Sequence, residues 1–336
     1  MKLNHMRRMK GVPTMQRHRI ALVASVLTCM IPFAAMANNQ NPNLNWGYTD
    51  FMDAAIAGSG LVFNPKIAFY HAGSLRDGDG DSLPGTNKLS LTAFSPQLIY
   101  VGKTELPGHL KWGAQMMGTI VSLNADSSLG LEAGNGMLGD LCFGPFVGRA
   151  HSLAKDWTFH WFGEFDIYAP IGSYDEDAAF NAGANFWTFE PFVAMTLQMP
   201  HGFEFSTRQH LTFNTRNNDY VNPGVTGDFA KHDLKAGELW HFNWTLSKSL
   251  DFISPMLRLG AVGYYGQQLS NDEVDGDTLS DSKERVLGIG PGLQYVHIPK
   301  GAKAPSVIFN LKSYWETGVE NRGKGNRTVF RMIIPF

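Results

Sequence analysis

Charged side chains recur at every second position along several segments of this chain, each time opposite a row of apolar residues. Between Asp156 and Ala169, His160, Glu164 and Asp166 alternate with Trp157, Phe159, Trp161, Phe165 and Ile167. Glu190 stands opposite Trp187, Phe189, Val193 and Met195; Glu204, Arg208 and His210 stand opposite Phe203, Phe205, Leu211 and Phe213. Lys312 and Glu316 face away from Phe309, Leu311 and Trp315, and Arg331 from Phe330, Met332, Ile334 and the terminal Phe336. Lys66, Lys111, Asp140 and Arg258 complete a set that carries both signs. If these rows line the lumen of a cylinder, two roles are open to them. Rings of charge select among passing solutes, or ion pairs fill and stiffen a narrow interior. The two roles can coexist, and neither requires a cofactor.

Catalytic and metal-binding readings are weaker. A barrel hydrolase needs a Ser near a His and an orienting polar group. The nearest pairs, His71 with Ser74 and His151 with Ser152, lie beside a loop mouth and a short turn without a nucleophile motif, so no catalytic residue is expected. Asp77-Gly78-Asp79-Gly80-Asp81 begins like a calcium loop but has Ser82 where Gly is required and Lys88 at the twelfth position. It reads as a solvated acidic loop, as do Asp272, Glu273, Asp275, Asp277 and Asp281; either can bridge lipopolysaccharide through divalent ions. No metal site is expected. After removal of a leader only Cys142 remains, which excludes an intrachain disulfide and a cysteine metal site.

The elements that must position these rows are β-strands. Period-two separation of charge and apolarity is clean in a strand and would be scattered around a helix. About twelve such segments are expected, near 60–72, 89–101, 109–122, 137–150, 156–169, 184–198, 203–214, 231–246, 255–268, 285–297, 306–316 and 327–336, each long enough for the roughly 9–11 residues that a tilted strand needs to cross a bilayer. The ladder at the last residue would be an open edge in a soluble protein; in a transmembrane barrel it pairs with the first strand and closes the wall. A terminal Phe preceded by alternate apolar residues also resembles the signal that outer-membrane barrels present to their assembly machinery.

Connections alternate in length. Those at 72–88, 123–136, 170–183, 215–230, 269–284 and 317–326 are long and polar, and those between them are shorter. This is the asymmetry of outer-membrane barrels, with short turns in the periplasm, and an even strand number places both termini there. Glu238 sits on the apolar face of the 231–246 segment, which predicts an interfacial position or a register shift at Gly237.

Residues 1–37 read as a secretory signal: basic residues from Lys2 to Arg19, an apolar run from Ile20 to Phe33, and small residues at Ala35 and Ala37. Cys29 lies in a poor lipobox. Removing this leader leaves 22 basic against 30 acidic side chains, a balance that argues against nucleic acid as a partner. No mature segment has some 18 uninterrupted apolar residues, which excludes helical spans, and slightly negative mean hydropathy is compatible with a barrel whose polar faces are hidden. Residues 38–59 are expected to form a periplasmic arm or a luminal plug, with Trp46, Tyr48, Phe51, Met52, Ala55 and Ile56 on a short amphipathic helix.

From about residue 90 onward the chain resembles the phenol meta-pathway outer-membrane protein family. The resemblance rests on Gly139-Asp140-Leu141 through Gly144-Pro145, on Asp166 to Tyr174, on Asn185 to Pro191, on Phe213-Asn214 to Gly227-Asp228, on Gly263 to Leu269, on Gly288-Ile289-Gly290-Pro291 and on Glu320-Asn321-Arg322 to Phe336. It implies a barrel with an uptake role in aromatic-compound breakdown and brings no catalytic residue. The combined expectation is an all-β, transmembrane antiparallel up-and-down barrel spanning 60–336 in the bacterial outer membrane. Its partners would be lipid, lipopolysaccharide, the assembly machinery at Phe336 and a small hydrophobic or aromatic solute. Selectivity would come from pore width, luminal charge and the loop aromatics Tyr174, Phe180 and Tyr220. A surface-interaction barrel with a closed lumen is the alternative, and a barrel hydrolase is the third reading.

Overall fold

Alternating apolar and polar residues extend into twelve antiparallel barrel strands among the described residues of the computed structural model, which are 44–128, 134–178, 180–302 and 304–336. The expected leader, residues 1–37, lies outside them. In chain order the strands are β1 (Gly60–Phe63 continued by Lys66–Leu75), β2 (Asn87–Ser95 and Gln97–Val101), β3 (Lys111–Met117 and Ile120–Ser127) and β4 (Gly134–Leu138 and Leu141–Ala154). They are followed by β5 (Trp157–Ala169), β6 (Thr188–Gln198), β7 (Phe203–Asn214), β8 (Leu239–Ser249), β9 (Leu257–Gln268), β10 (Arg285–His297), β11 (Val307–Glu320) and β12 (Gly323–Pro335). Each pairs with its sequence neighbours. β12 closes the cylinder on both parts of β1, with Ile334 opposite Phe63 and Arg331 opposite Lys66.

The first four strands are each broken once, at Asn64-Pro65, Pro96, Gly118-Thr119 and Gly139-Asp140. Proline supplies no N–H to the ladder; the inward parity is kept across the first three breaks, whereas in β4 it changes, with Met137 facing inward before the break and Cys142 and Phe146 after it. Backbone bonds bridge the gaps: Asn64 N donates to Gln97 O (2.8 Å), and Gly139 N to Thr119 O (2.8 Å).

The outer face carries Phe69, Phe94, Phe143, Phe165, Trp187, Phe213, Leu259, Leu311 and Trp315, all exposed and free to meet lipid. The inner face buries polar groups. Thr188, Glu190, Thr196, Glu204, His210, His241, Asn243, Asn310 and Lys312 are all buried, because residues 44–57 run inside the cylinder and cover them. This segment contains turns in place of the expected helix: hydrogen bonds to inward-facing side chains satisfy its backbone groups, leaving no need for an i→i+4 ladder. Leu44, Trp46, Tyr48 and Phe51 pack with Val262, Tyr264, Val286, Tyr314 and Val329, and Ala54 packs with Phe146, Phe162, Phe192 and Ala194. The approach is close. A Cβ on Gly266 would lie 2.1 Å from the Trp46 ring, so only glycine fits there.

Two expected connections differ. The 231–246 strand divides, with His232–Lys235 joining a separate four-stranded sheet with Arg216–Tyr220, Glu273–Val274 and Asp277–Thr278. The barrel strand begins only at Leu239, so Glu238 precedes it and accepts a hydrogen bond from Ser270 Oγ. The chain turns at Gly237, where a Cβ would meet Ser270 O at 2.1 Å. The 317–326 loop is instead a tight connection through Asn321 and Arg322. Asn321 takes φ 52°, a left-handed conformation that Asn tolerates, and its amide donates to Asp281 O and Lys283 O.

Candidate functional site

The luminal layer is organised by two carboxylates of the inner segment, Asp50 and Asp53. Lys312 Nζ on β11 lies 2.7 Å from Asp50 Oδ1, and Arg331 on β12 lies 2.6 Å from Oδ2. Arg208 on β7 forms a bidentate pair with Asp53, one arm at 3.1 Å. Three of the charged residues singled out in the sequence therefore converge on one segment. A charge removed from water is tolerable only when paired and hydrogen-bonded, and here each cation has both. Lys312 also donates to Thr49 O, and Arg331 to Tyr48 O and Asn64 Oδ1.

Further polar contacts seat the segment. Glu204 accepts from Ser206 and Ser247 (2.6 Å each) and from the Met52 N–H (3.2 Å). Lys111 donates to Ile56 O and Ala57 O, and Lys66 lies over the Tyr48 ring while donating to Gln97. Glu190 accepts from Asn45 and contacts His210 Nδ1 at 2.9 Å. Glu316 accepts from both Tyr70 and Tyr264 hydroxyls at 2.8 Å.

Other residues from the sequence reading lie apart from this centre. His160 contacts Gln198, and Arg258 donates to Gly202 O and Ser247, both toward the short turns. Asp140 sits in the β4 break, where it accepts from the Gly172 and Ala184 N–H groups and ties down the 170–187 connection. Asp166 accepts from Gln115 at 2.7 Å. His71 contacts Ser90 on β2, and His151 accepts from Trp161, so neither turns toward the serine considered with it.

Glu164 opens onto a largely apolar groove of about 680 Å³ in the wall. Its outer edge is Leu106, Trp112, Pro145, Val147 and Phe165, and its floor includes Gly113 and the inward-facing Phe146 and Phe192. Pro145 and Pro191 flank Phe165 on neighbouring strands, where neither donates to the ladder. Behind the groove, Phe146, Phe162 and Phe192 form an aromatic row with centroids 5.8 Å apart, and the Arg208 guanidinium lies 5.2 Å from the Phe192 ring. These phenylalanines carry no charge and so do not stand out among the inward-facing residues of the sequence. Their even numbering within β4, β5 and β6 carried the signal.

The long connections are cross-linked. Lys231 reaches Glu176 and Asp219 at 2.9 Å, and these hydrogen bonds raise its pKa. His232 lies between Asp228 (2.9 Å) and Asp275 (2.6 Å), whose hydrogen bonds raise its pKa above the ordinary imidazole value. Asp272 is buried and accepts from Gly237 N–H and the Gln268 amide; burial pushes its pKa up to about 7. The expected loop aromatic Tyr174 donates to Asp219 O.

A closed antiparallel cylinder with an apolar exterior and a polar interior is a transmembrane β-barrel of the bacterial outer membrane. Residues 72–332 match the family described as "Putative MetA-pathway of phenol degradation", and the chain belongs to that family. Among solved structures, it is similar to an outer membrane channel from Pseudomonas putida F1, at 15% identity and a TM-score of 0.72 over 85% of this chain and 99% of that one. Looser likenesses include the beta domain of the Bordetella autotransporter BrkA (9% identity, TM-score 0.46, 83% of this chain and 100% of that one). Another is the CymD monoaromatic hydrocarbon channel (10%, 0.37, 83% and 89%). No curated protein matches the sequence.

Proposed function

We propose that this barrel is a channel for passive uptake of small hydrophobic or aromatic compounds, with residues 44–57 as a luminal plug. The observation that carries this reading is the wall groove, where an apolar rim on the lipid side shares one space with the inward-facing Phe146 and Phe192, which Phe162 joins into a row on the luminal side. A flat aromatic solute gains dispersion and ring–ring contact along that row. The charged layer at Asp50 and Asp53 then selects against ions and fixes the resting position of the plug. The barrel does no chemistry on its solute.

In this reading the long cross-linked connections face outward, and both termini lie in the periplasm. Phe336, 78% exposed at the end of β12, is the handle for the assembly machinery. The outward aromatic band meets lipid, and the acidic loops meet lipopolysaccharide. The same buried ion pairs also favour a second reading, a closed barrel that works through its loops.

Permeation separates the two. Proteoliposomes carrying the full chain or a variant lacking residues 44–57 are compared for aromatic-solute entry, sugar swelling and single-channel conductance. The channel reading predicts aromatic entry in the full chain and added conductance in the variant. No permeation by either protein, with folding verified by heat-modifiable gel mobility, rejects the channel and leaves the closed barrel.

A further inference from the structure

We infer that Glu190, His210 and His241 form a binding site for one divalent cation of the zinc class, at the seam between the luminal segment and the barrel wall. The three side chains project inward from β6, β7 and β8, and His210 stands directly opposite His241 in the ladder. One donor atom from each lies within 4.8 Å of the others, and all three residues are fully buried.

The hydrogen bonds of the two imidazoles leave ligand positions open. His210 Nδ1 meets Glu190 Oε1 at 2.9 Å, and His241 Nε2 meets Asn45 Oδ1 at 3.4 Å. With those nitrogens donating, Nε2 of His210 and Nδ1 of His241 carry bare lone pairs. Neither has a hydrogen-bond partner among the described residues. An unsatisfied buried acceptor is costly to leave. A neutral imidazole with one nitrogen bonded to a carboxylate or amide oxygen is also the form in which histidine ligates metals, the second contact fixing tautomer and orientation.

Donor type sets the class of ion. Two imidazoles with one carboxylate suit Zn²⁺, Co²⁺ or Ni²⁺. Ca²⁺ and Mg²⁺ need more oxygen donors than this seam offers. The His210 and His241 rings are stacked, with centroids 4.3 Å apart and planes 5° apart. A bound ion lies in the plane of its imidazole, so the His210 ring turns about its Cβ–Cγ bond and exchanges its Nδ1 contact with Glu190 for shared ligation, while His241 keeps its contact with Asn45. Asn45, which contacts Glu190, His241 and Asn243, then couples the ion to the luminal segment. Ion binding and seating of the segment stabilise each other.

The test uses the full chain purified in detergent without a histidine tag, stripped with chelator and titrated with Co²⁺. The expected result is one equivalent bound, with visible ligand-field bands of a nitrogen-ligated ion, displaced by Zn²⁺ but not by Ca²⁺. His241→Gln and Glu190→Gln weaken binding by roughly 10- to 100-fold or more, and Asn45→Ala falls in the same range. His232→Gln, at the exposed Asp228–Asp275 pair, leaves binding unchanged. Folding is followed by heat-modifiable mobility, and because three variants at separate positions are used, failure of one to fold does not remove the test. Absence of Co²⁺ and Zn²⁺ uptake by the folded chain overturns the inference. So does wild-type affinity in folded His241→Gln and Glu190→Gln, or displacement of Co²⁺ by Ca²⁺.

Discussion

Replacing Asp50 by Ala is the sharpest perturbation of the luminal segment. Its carboxylate holds Lys312 at 2.7 Å and Arg331 at 2.6 Å and accepts from the Asn310 amide at 3.3 Å. The Asp50 and Lys312 side chains are 2% and 0% exposed, so solvent cannot substitute for the lost partner. Removing one member of a buried pair strands the other charges and costs about 3–5 kcal/mol. That cost falls on the state in which residues 44–57 cover the two cations, because withdrawal of the segment lets water reach them. At about 1.4 kcal/mol per tenfold, the withdrawn population rises by roughly two to three and a half orders of magnitude. Hydrogen–deuterium exchange across residues 44–57 reads this directly, and single-channel conductance reads its consequence. The triple variant Asp50→Leu, Lys312→Met, Arg331→Met replaces charge by apolar volume and is expected to return exchange toward the wild-type level. Unchanged exchange and conductance in a folded Asp50→Ala barrel would refute the claim that these ion pairs hold the segment.

Loop stability carries a pH signature. Asp272 has its pKa raised from 3.8 to about 7, so the folded loops bind more protons than the unfolded ones between those values, and their stability falls as pH rises through that window; Asp272→Asn flattens the fall, measured by amide exchange at Gly237 and Asp272. The His232 contact with Asp228 and Asp275 is fully present below the ordinary imidazole pKa and is lost as pH rises through the raised folded value; His232→Gln removes this dependence from proteolytic protection of residues 215–238. Phe192→Ala empties part of the aromatic row, costs about 3–5 kcal/mol of barrel stability and slows aromatic entry into proteoliposomes more than it slows sugars. Gly113→Leu fills the groove floor, where a Cβ already meets Tyr100 O at 2.1 Å and the Phe146 ring at 2.3 Å; thermal denaturation is expected to report a loss of about 1–3 kcal/mol from overpacking, with aromatic entry reduced.

Much of the wall was legible because its rule is local. Which face of a strand a side chain occupies follows from the parity of its number, so His160, Glu164, Glu204, Arg208, Lys312 and Arg331 could be set inside before any contact was known. Parity also held across the breaks at Pro96 and Gly118-Thr119, and His241 was equally readable from its place between Trp240 and Phe242. The loops were less legible. Thr317–Asn326 looks like a polar loop by composition, yet Asn321 closes it tightly through a left-handed turn and contacts to Asp281 and Lys283. Composition does not encode those distant partners.

By itself, the amino-acid sequence determined a membrane-spanning cylinder: period-two rows, polar connections and the closing ladder ending at Phe336 each follow from neighbours along the chain. Only the tertiary structure decided what fills it. Asp50 and Asp53 lie in a segment whose apolar spacing suggested a helix that does not form, and their roles arise from cations more than 150 residues away. The same holds for Glu190, His210 and His241, whose convergence depends on the register of three strands and on Asn45 passing beside them. Parity assigns a side chain to the lumen; register, and the path of the chain within the lumen, assign it a partner.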